Sequence, residues 1–158
     1  MKKKKTSTQC EMLAVPLEEL IPLIKECFAA GQGIRIYPRG ISMRPLIREG
    51  KDSVTLSAPT RKLKRHDIAL FSYRGRYLLH RLVGHECDGG YVFCGDNNRT
   101  YERDVQDADI LAVVTEIWRG EKNIYASDSS MRAYLRFVSL RRKLRRFVAR
   151  VRRRILRK

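Results

Sequence analysis

The sequence predicts a mainly β protein, with a small coiled or barrel-like sheet, a helix before it and a basic amphipathic helix after it. The 158 residues suffice for one domain with a core but not for two ordinary ones. Apolar residues recur at helical spacing near both ends of the chain. Between them, short apolar runs are separated by turn residues, a pattern typical of coiled or barrel-like sheets.

These observations divide the chain into three parts. Residues 1–14 are predicted to be a basic, disordered start, residues 15–125 a β domain with its leading helix, and residues 126–158 a basic amphipathic helical tail. The leading helix is predicted over residues 16–30, where apolar residues recur every three or four positions before Gly31 and Gly33 end it. Pro22 predicts a kink or a later start.

Short runs rich in β-branched and aromatic residues predict the strands. The predicted strands are residues 34–37, 53–56, 67–73, 77–84, 90–94 and 110–118. The third and fourth form a hairpin around Gly75. The last run is almost continuously apolar, which predicts burial on both of its faces.

Charge is distributed unevenly along the chain. The formal net charge is +17, but residues 6–131 carry 17 basic and 17 acidic side chains. The excess lies in Lys2 to Lys5 and in residues 132–158, which hold 13 Lys and Arg and no Asp or Glu. This distribution is typical of a neutral domain with basic arms.

Two further patterns bound the class of protein. The four cysteines form no Cys-x-x-Cys pair, so we expect free thiols, no zinc site and no cofactor. No run of 18 or more apolar residues occurs, so we expect no membrane span.

The candidate for chemistry is Ser42, on a bend between Gly40 and Pro45. A serine is a weak nucleophile unless a base lies within hydrogen-bond reach and a third group orients that base. His80, on a predicted strand, is the candidate base. Asp96, in the turn after residues 90–94, is the candidate carboxylate.

Together these stretches resemble the type I signal peptidase family, in the form in which histidine replaces the usual lysine base. The family's serine box, Gly-Ser-Met-x-Pro, is matched with Ile41 in the place of glycine, and its Gly-Asp-Asn-Asn box is matched in full. The matching segments are residues 41–45, 50–54, 66–71, 80–83 and 95–98. The resemblance covers roughly residues 32–120.

The resemblance implies a serine endopeptidase that works through an acyl-enzyme and cleaves a leader or signal-type peptide. Ser42 would be the nucleophile, His80 the base and Asp96 the group that holds the imidazole. Met43 would touch the substrate pocket.

Several positions depart from the family pattern. Gly40 stands where members often carry a hydroxyl that helps the oxyanion hole, so the backbone N–H of Ser42 would be the main donor. In this respect the box is closer to that of the LexA-type self-cleaving repressors, which use lysine as base. Glu102 or Asp104 could supply the family's second acid, and His66 is a rival base. Most members also have an N-terminal membrane span, which we do not expect here.

The tail is predicted to be an amphipathic helix. Its apolar residues fall three or four apart on one face and arginines fill the rest. The residues predicted to make up this membrane-binding tail are Phe137, Arg141, Arg142, Leu144, Arg145, Phe147, Arg150, Val151 and Arg154. Such a helix is typical of an in-plane anchor on an anionic membrane. Nucleic acid is the alternative partner.

These inferences combine into one expectation. The chain would be a cytoplasmic peptidase acting on a peptide or protein substrate, peripheral at the inner face of the membrane. The alternatives are a self-cleaving repressor-like peptidase and a catalytically inactive peptide-binding domain, tethered to membrane or nucleic acid by the basic tail.

Overall fold

The computed structural model describes residues 17–125 and 129–155. In these residues the fold is mainly β, as predicted, with one antiparallel sheet, an N-terminal helix and a C-terminal helix. The predicted disordered start, residues 1–14, lies outside the described part. The elements in chain order are α1 (Leu17–Ala29), β1 (Ile34–Ile36), β2 (Asp52–Ser57), β3 (Ile68–Tyr73), β4 (Arg76–His85), β5 (Tyr91–Cys94), β6 (Glu102–Val105), a 3₁₀ turn (Asp107–Asp109), β7 (Ile110–Arg119), β8 (Lys122–Asn123) and α2 (Ser129–Ile155).

The sheet is open rather than closed. Its strand order is β1-β2-β7-β3-β4-β5-β6, with β8 paired to β7, so β1 and β6 stand at its two ends. The pairing shifts register within β2–β7, β3–β7, β4–β5 and β5–β6. Such bulges bend a strand and increase its twist, which gives this sheet a coiled form.

The six strands predicted from sequence are present, but β6 and β8 were missed. The sequence of β6, Glu-Arg-Asp-Val, has no apolar alternation, and β8 has two residues. The prediction that residues 110–118 are buried on both faces is wrong. Only Ala112, Val114 and Ile117 of β7 are buried. Residues on both faces are buried instead in β3, which lies between β7 and β4 in the middle of the sheet, and in β5.

Alternate residues of β3 face two separate core clusters, as the pleat of a strand requires. Ile68 and Leu70 belong to the first core cluster, which also takes Ile21 and Ile24 of α1. Ala69 and Phe71 belong to the second. The helix α1 runs through Pro22, whose side chain is exposed.

The helix α2 begins against the domain. Met131 and Val138 are buried, and Tyr134 and Leu135 pack against the first core cluster. Within residues 17–125 and 129–155, no helix is both long enough and apolar enough to cross a membrane.

Candidate active site

Ser42 lies in the turn that follows β1. Met43, Leu46 and Ile47, which come directly after it, are buried in the first core cluster and hold the turn on the domain. Gly40, two residues before Ser42, has a φ of +92°. A residue with a Cβ is strained there, so glycine at this position is explained by the backbone.

A buried carboxylate holds the far end of this loop. Asp52 accepts hydrogen bonds from the side chains of Arg48 and Arg119, and Arg119 also donates to the carbonyl of Leu46. Burial alone would raise the pKa of Asp52, but the hydrogen bonds from both arginines outweigh it and lower the pKa to about 2. Asp52 therefore stabilises the loop and is not a candidate catalytic residue.

The Gly-Asp-Asn-Asn turn, residues 95–98, is clamped to the serine loop. The backbone N–H of Asn97 donates to the carbonyl of Ser42 at 2.7 Å, and its side-chain amide donates to the carbonyl of Ile41 at 3.3 Å. A Cβ on Gly95 would lie 2.8 Å from the Ser42 carbonyl oxygen. Only glycine allows so close an approach, so two segments more than fifty residues apart meet here.

His80 lies on β4 and is 4% exposed. As predicted from strand alternation, it faces the second core cluster, where its ring meets the edge of Phe71 at a centroid distance of 6.3 Å. Its Nδ1 lies 3.0 Å from Oε2 of Glu102, which is also buried. When a neutral imidazole donates from Nδ1, its Nε2 keeps a lone pair that can accept a proton.

The predicted orienting acid is therefore wrong: Glu102, not Asp96, lies against the imidazole of His80. The carboxylate of Asp96 instead accepts two hydrogen bonds from Arg81, at 2.9 and 2.7 Å, and one from the hydroxyl of Tyr134 at 2.8 Å. The physical reason is the pleat, because Arg81 follows His80 on β4 and points to the opposite side.

Arg81 and Asp96 form an ion pair whose side chains are 1% and 0% exposed. Burial opposes the charge of Arg81, but the hydrogen bonds to Asp96 outweigh this and raise the pKa of Arg81 above its ordinary value. The hydroxyl of Tyr134 connects this pair to α2. Arg141 of the same helix donates to the side-chain carbonyl of Asn97 at 3.3 Å. The tail is thus packed against the turn that holds the serine loop.

Ser42 and His80 line one cleft of about 250 Å³. The same cleft is lined by Met43, the predicted pocket residue, and by Gly40, and its remaining walls are mostly apolar. The other lining residues are Leu17, Leu20, Ile36, Tyr37, Pro38, Arg39, Ile47, Leu70, Tyr77, Leu78 and Leu79.

The Ser42 hydroxyl makes no hydrogen bond to any residue of the described part of the chain. The amide nitrogen of Asn98 lies 3.5 Å from Nε2 of His80, at the limit of hydrogen-bond distance. Nucleophile and base in unliganded enzymes are often farther apart than in the reacting complex.

Two other candidates are not part of this cleft. His66 lines different clefts and has a φ of +84°, in the left-handed region that favours glycine. Its carbonyl accepts a hydrogen bond from Arg81. Asp104 is exposed, whereas Glu102 is buried beside His80.

Among the described residues, no group of three or more His, Cys, Asp or Glu could hold a metal ion. Comparisons with protein-family models, curated proteins and solved structures found no match to this chain. The candidate function therefore rests on the chain's own residues.

The tail residues fall into two groups. Phe137, Leu144, Phe147 and Arg150 are exposed, while Arg141 is half-buried against Asn97. The side chains of the remaining predicted members lie outside the described part of the structure: Arg142, Arg145, Val151 and Arg154.

Sequence reasoning missed Asn98 and Tyr134 as members of the site. Asn98 is the last residue of the Gly-Asp-Asn-Asn box, so the sequence marked it. Its position beside the imidazole of His80 depends on how the turn folds, which the sequence does not show. Tyr134 carried no signal, because it reads as one more apolar residue of the tail helix.

Proposed function

We propose that this protein is a serine endopeptidase in which Ser42 is the nucleophile, His80 the base and Glu102 the acid that orients the base. One observation carries the proposal: His80, which is paired with the buried Glu102, lines the same cleft as Ser42. A buried ionisable pair at the wall of an apolar cleft is typical of catalytic sites.

The proposed reaction has the pattern of a serine triad. Nε2 of His80 takes the proton of the Ser42 hydroxyl while the oxygen attacks the peptide carbonyl, and the ring then protonates the leaving amine as the C–N bond breaks. Water, deprotonated by the same ring, attacks the acyl-serine ester. As the ester C–O bond breaks, the ring returns the proton to the Ser42 oxygen and the acid is released. Glu102 stabilises the imidazolium, and the backbone N–H of Ser42 donates to the oxyanion.

The cleft favours an extended peptide as the substrate. Residues 36–38, at the end of β1, line the cleft, and β1 is at one end of the strand order. An extended peptide can add to such a strand edge, with alternate side chains entering the apolar walls. The resemblance to signal peptidases supports a leader or signal-type peptide.

The test is covalent labelling of Ser42. We expect a fluorophosphonate probe to modify the folded wild-type chain at mildly alkaline pH, with the adduct mapped to Ser42 by mass spectrometry. Ser42→Ala should abolish labelling. Ser72→Ala, at a half-buried serine of β3, is the matched control and should label normally. Absence of an adduct on folded wild-type protein would overturn the proposal.

The second candidate is a catalytically inactive domain that binds an extended peptide in the same cleft. The observation that favours it is the Asn98 amide at 3.5 Å from Nε2 of His80, because an amide there competes with the serine for the base. In that case a peptide would bind, but Ser42 would not be labelled and the peptide would not be cleaved.

The self-cleaving alternative has its own readout. Loss of mass from the chain incubated alone would indicate self-cleavage.

A further inference from the structure

The helix α2 has two apolar faces, and only one is used by the fold. The inner face holds Met131 and Val138, which are 6% and 2% exposed. Tyr134, on the same side, donates to Asp96. These contacts fix the helix on the domain.

The second apolar face points into solvent. It consists of Phe137, Leu140, Leu144, Phe147 and Val148, whose exposed fractions are 53%, 66%, 60%, 60% and 44%. At about 3.6 residues per turn these positions form one stripe, roughly a third of a turn around the helix from the inner face. Phe137 and Leu140 flank the buried Val138 along the chain, so their exposure does not arise from the helix leaving the domain. An exposed apolar stripe of this size marks an interaction surface.

Positive charge borders this stripe. Arg136, Lys143 and Arg150 are exposed and project along one edge of it. Residues 132–158 hold 13 basic side chains and no acidic one. The partner must therefore be apolar at the centre of the contact and anionic around it.

We propose that α2 binds in the plane of an anionic membrane surface, with the outward stripe in the acyl boundary and the arginines among the headgroups. A bilayer offers both chemistries in that arrangement. Nucleic acid satisfies the arginines through its phosphates but gives no role to five aligned apolar side chains. A second copy would cover the stripe but would bring two strongly basic helices together.

This proposal does not depend on the peptidase proposal. Because α2 donates to Asp96 and Asn97, membrane binding would hold the serine cleft close to the membrane whatever that cleft does. Peptides that reside at the same surface would then be concentrated beside it.

Vesicle flotation of the full chain tests the proposal. We expect the protein to float with vesicles of phosphatidylcholine and phosphatidylglycerol and not with phosphatidylcholine alone. Leu144→Glu combined with Phe147→Glu should weaken binding by about tenfold or more. Leu23→Glu, at an apolar residue of α1 that is 47% exposed, is the matched control and should bind as the wild type does.

A second readout reports insertion directly. Phe147→Trp should show a blue shift of its emission when anionic vesicles are added, after subtraction of the wild-type signal from Trp118. Circular dichroism checks that each variant is folded. Failure of the folded wild type to float, or equal flotation of the double variant, would overturn the proposal. So would retention by a duplex oligonucleotide without vesicle binding, or a dimer that Leu144→Glu dissociates.

Discussion

The imidazole Nδ1 of His80 lies 3.0 Å from the carboxylate Oε2 of Glu102, and both side chains are buried. His80 is on β4, whereas Glu102 begins β6, at the end of the sheet. The strand between them, β5, pairs with both. This contact decides which nitrogen of the ring is available to a serine, so it is the first to test.

Replacing Glu102 by Gln should slow fluorophosphonate labelling of Ser42 by about three orders of magnitude. The amide keeps the volume of the side chain but allows the ring to be held in the other tautomer, with Nε2 protonated. The measurement is the second-order rate constant of labelling at fixed pH, with folding checked by circular dichroism. An unchanged rate would remove Glu102 from the mechanism.

Asp96→Asn should act mainly on stability. It leaves the buried guanidinium of Arg81 without its counter-charge, so we expect the free energy of unfolding in urea to fall by about 3–5 kcal/mol. The matched control is Asp67→Asn, which breaks the pair with the exposed Arg61 and should cost about 1 kcal/mol or less. Equal losses in the two variants would contradict the role assigned to Asp96.

Gly95→Ala should displace the serine loop from the Gly-Asp-Asn-Asn turn. The added methyl would sit 2.8 Å from the carbonyl oxygen of Ser42, so the serine loop must move. We expect a stability loss of about 1–3 kcal/mol and labelling of Ser42 slowed at least about tenfold, because reacting groups tolerate little displacement. Gly84→Ala, where a Cβ meets nothing within 4 Å, is the control. If Ser42 is labelled at the same rate in Gly95→Ala and Gly84→Ala, the contact between the Gly-Asp-Asn-Asn turn and the serine loop has no catalytic role.

Acid should weaken the fold through Asp52. Its pKa is about 2 in the folded protein against an ordinary value of 3.8, so the unfolded chain takes up the proton first as pH falls. The stabilisation, roughly 2 kcal/mol, is complete above about pH 5 and is lost as the pH falls toward the folded-state pKa.

Urea unfolding of the wild type and of Asp52→Asn at several pH values measures this effect. The variant is expected to be less stable near neutrality but to lose less of its stability on acidification. Parallel pH profiles for the two proteins would show that Asp52 is not the group responsible.

The positions of His80 and of the serine turn could be predicted from sequence because they depend on local rules. Strand alternation put His80 on the side of Leu78 and Leu82, and Gly40 and Pro45 marked the turn that presents Ser42. The amphipathic tail could also be predicted, because helical spacing depends only on the order of residues.

The partner of His80 could be decided only by the tertiary structure. In a regular strand, Glu102 and Val105 would point to opposite sides of the sheet. The register shift between Tyr91 and Phe93 turns both inward, so the carboxylate reaches the imidazole. Asp96, the acid favoured by its motif, pairs instead with Arg81 because the pleat of β4 turns that arginine away from His80. Local sequence determined which residues were available for chemistry, whereas the bulge and the pairing of distant strands decided which of them meet.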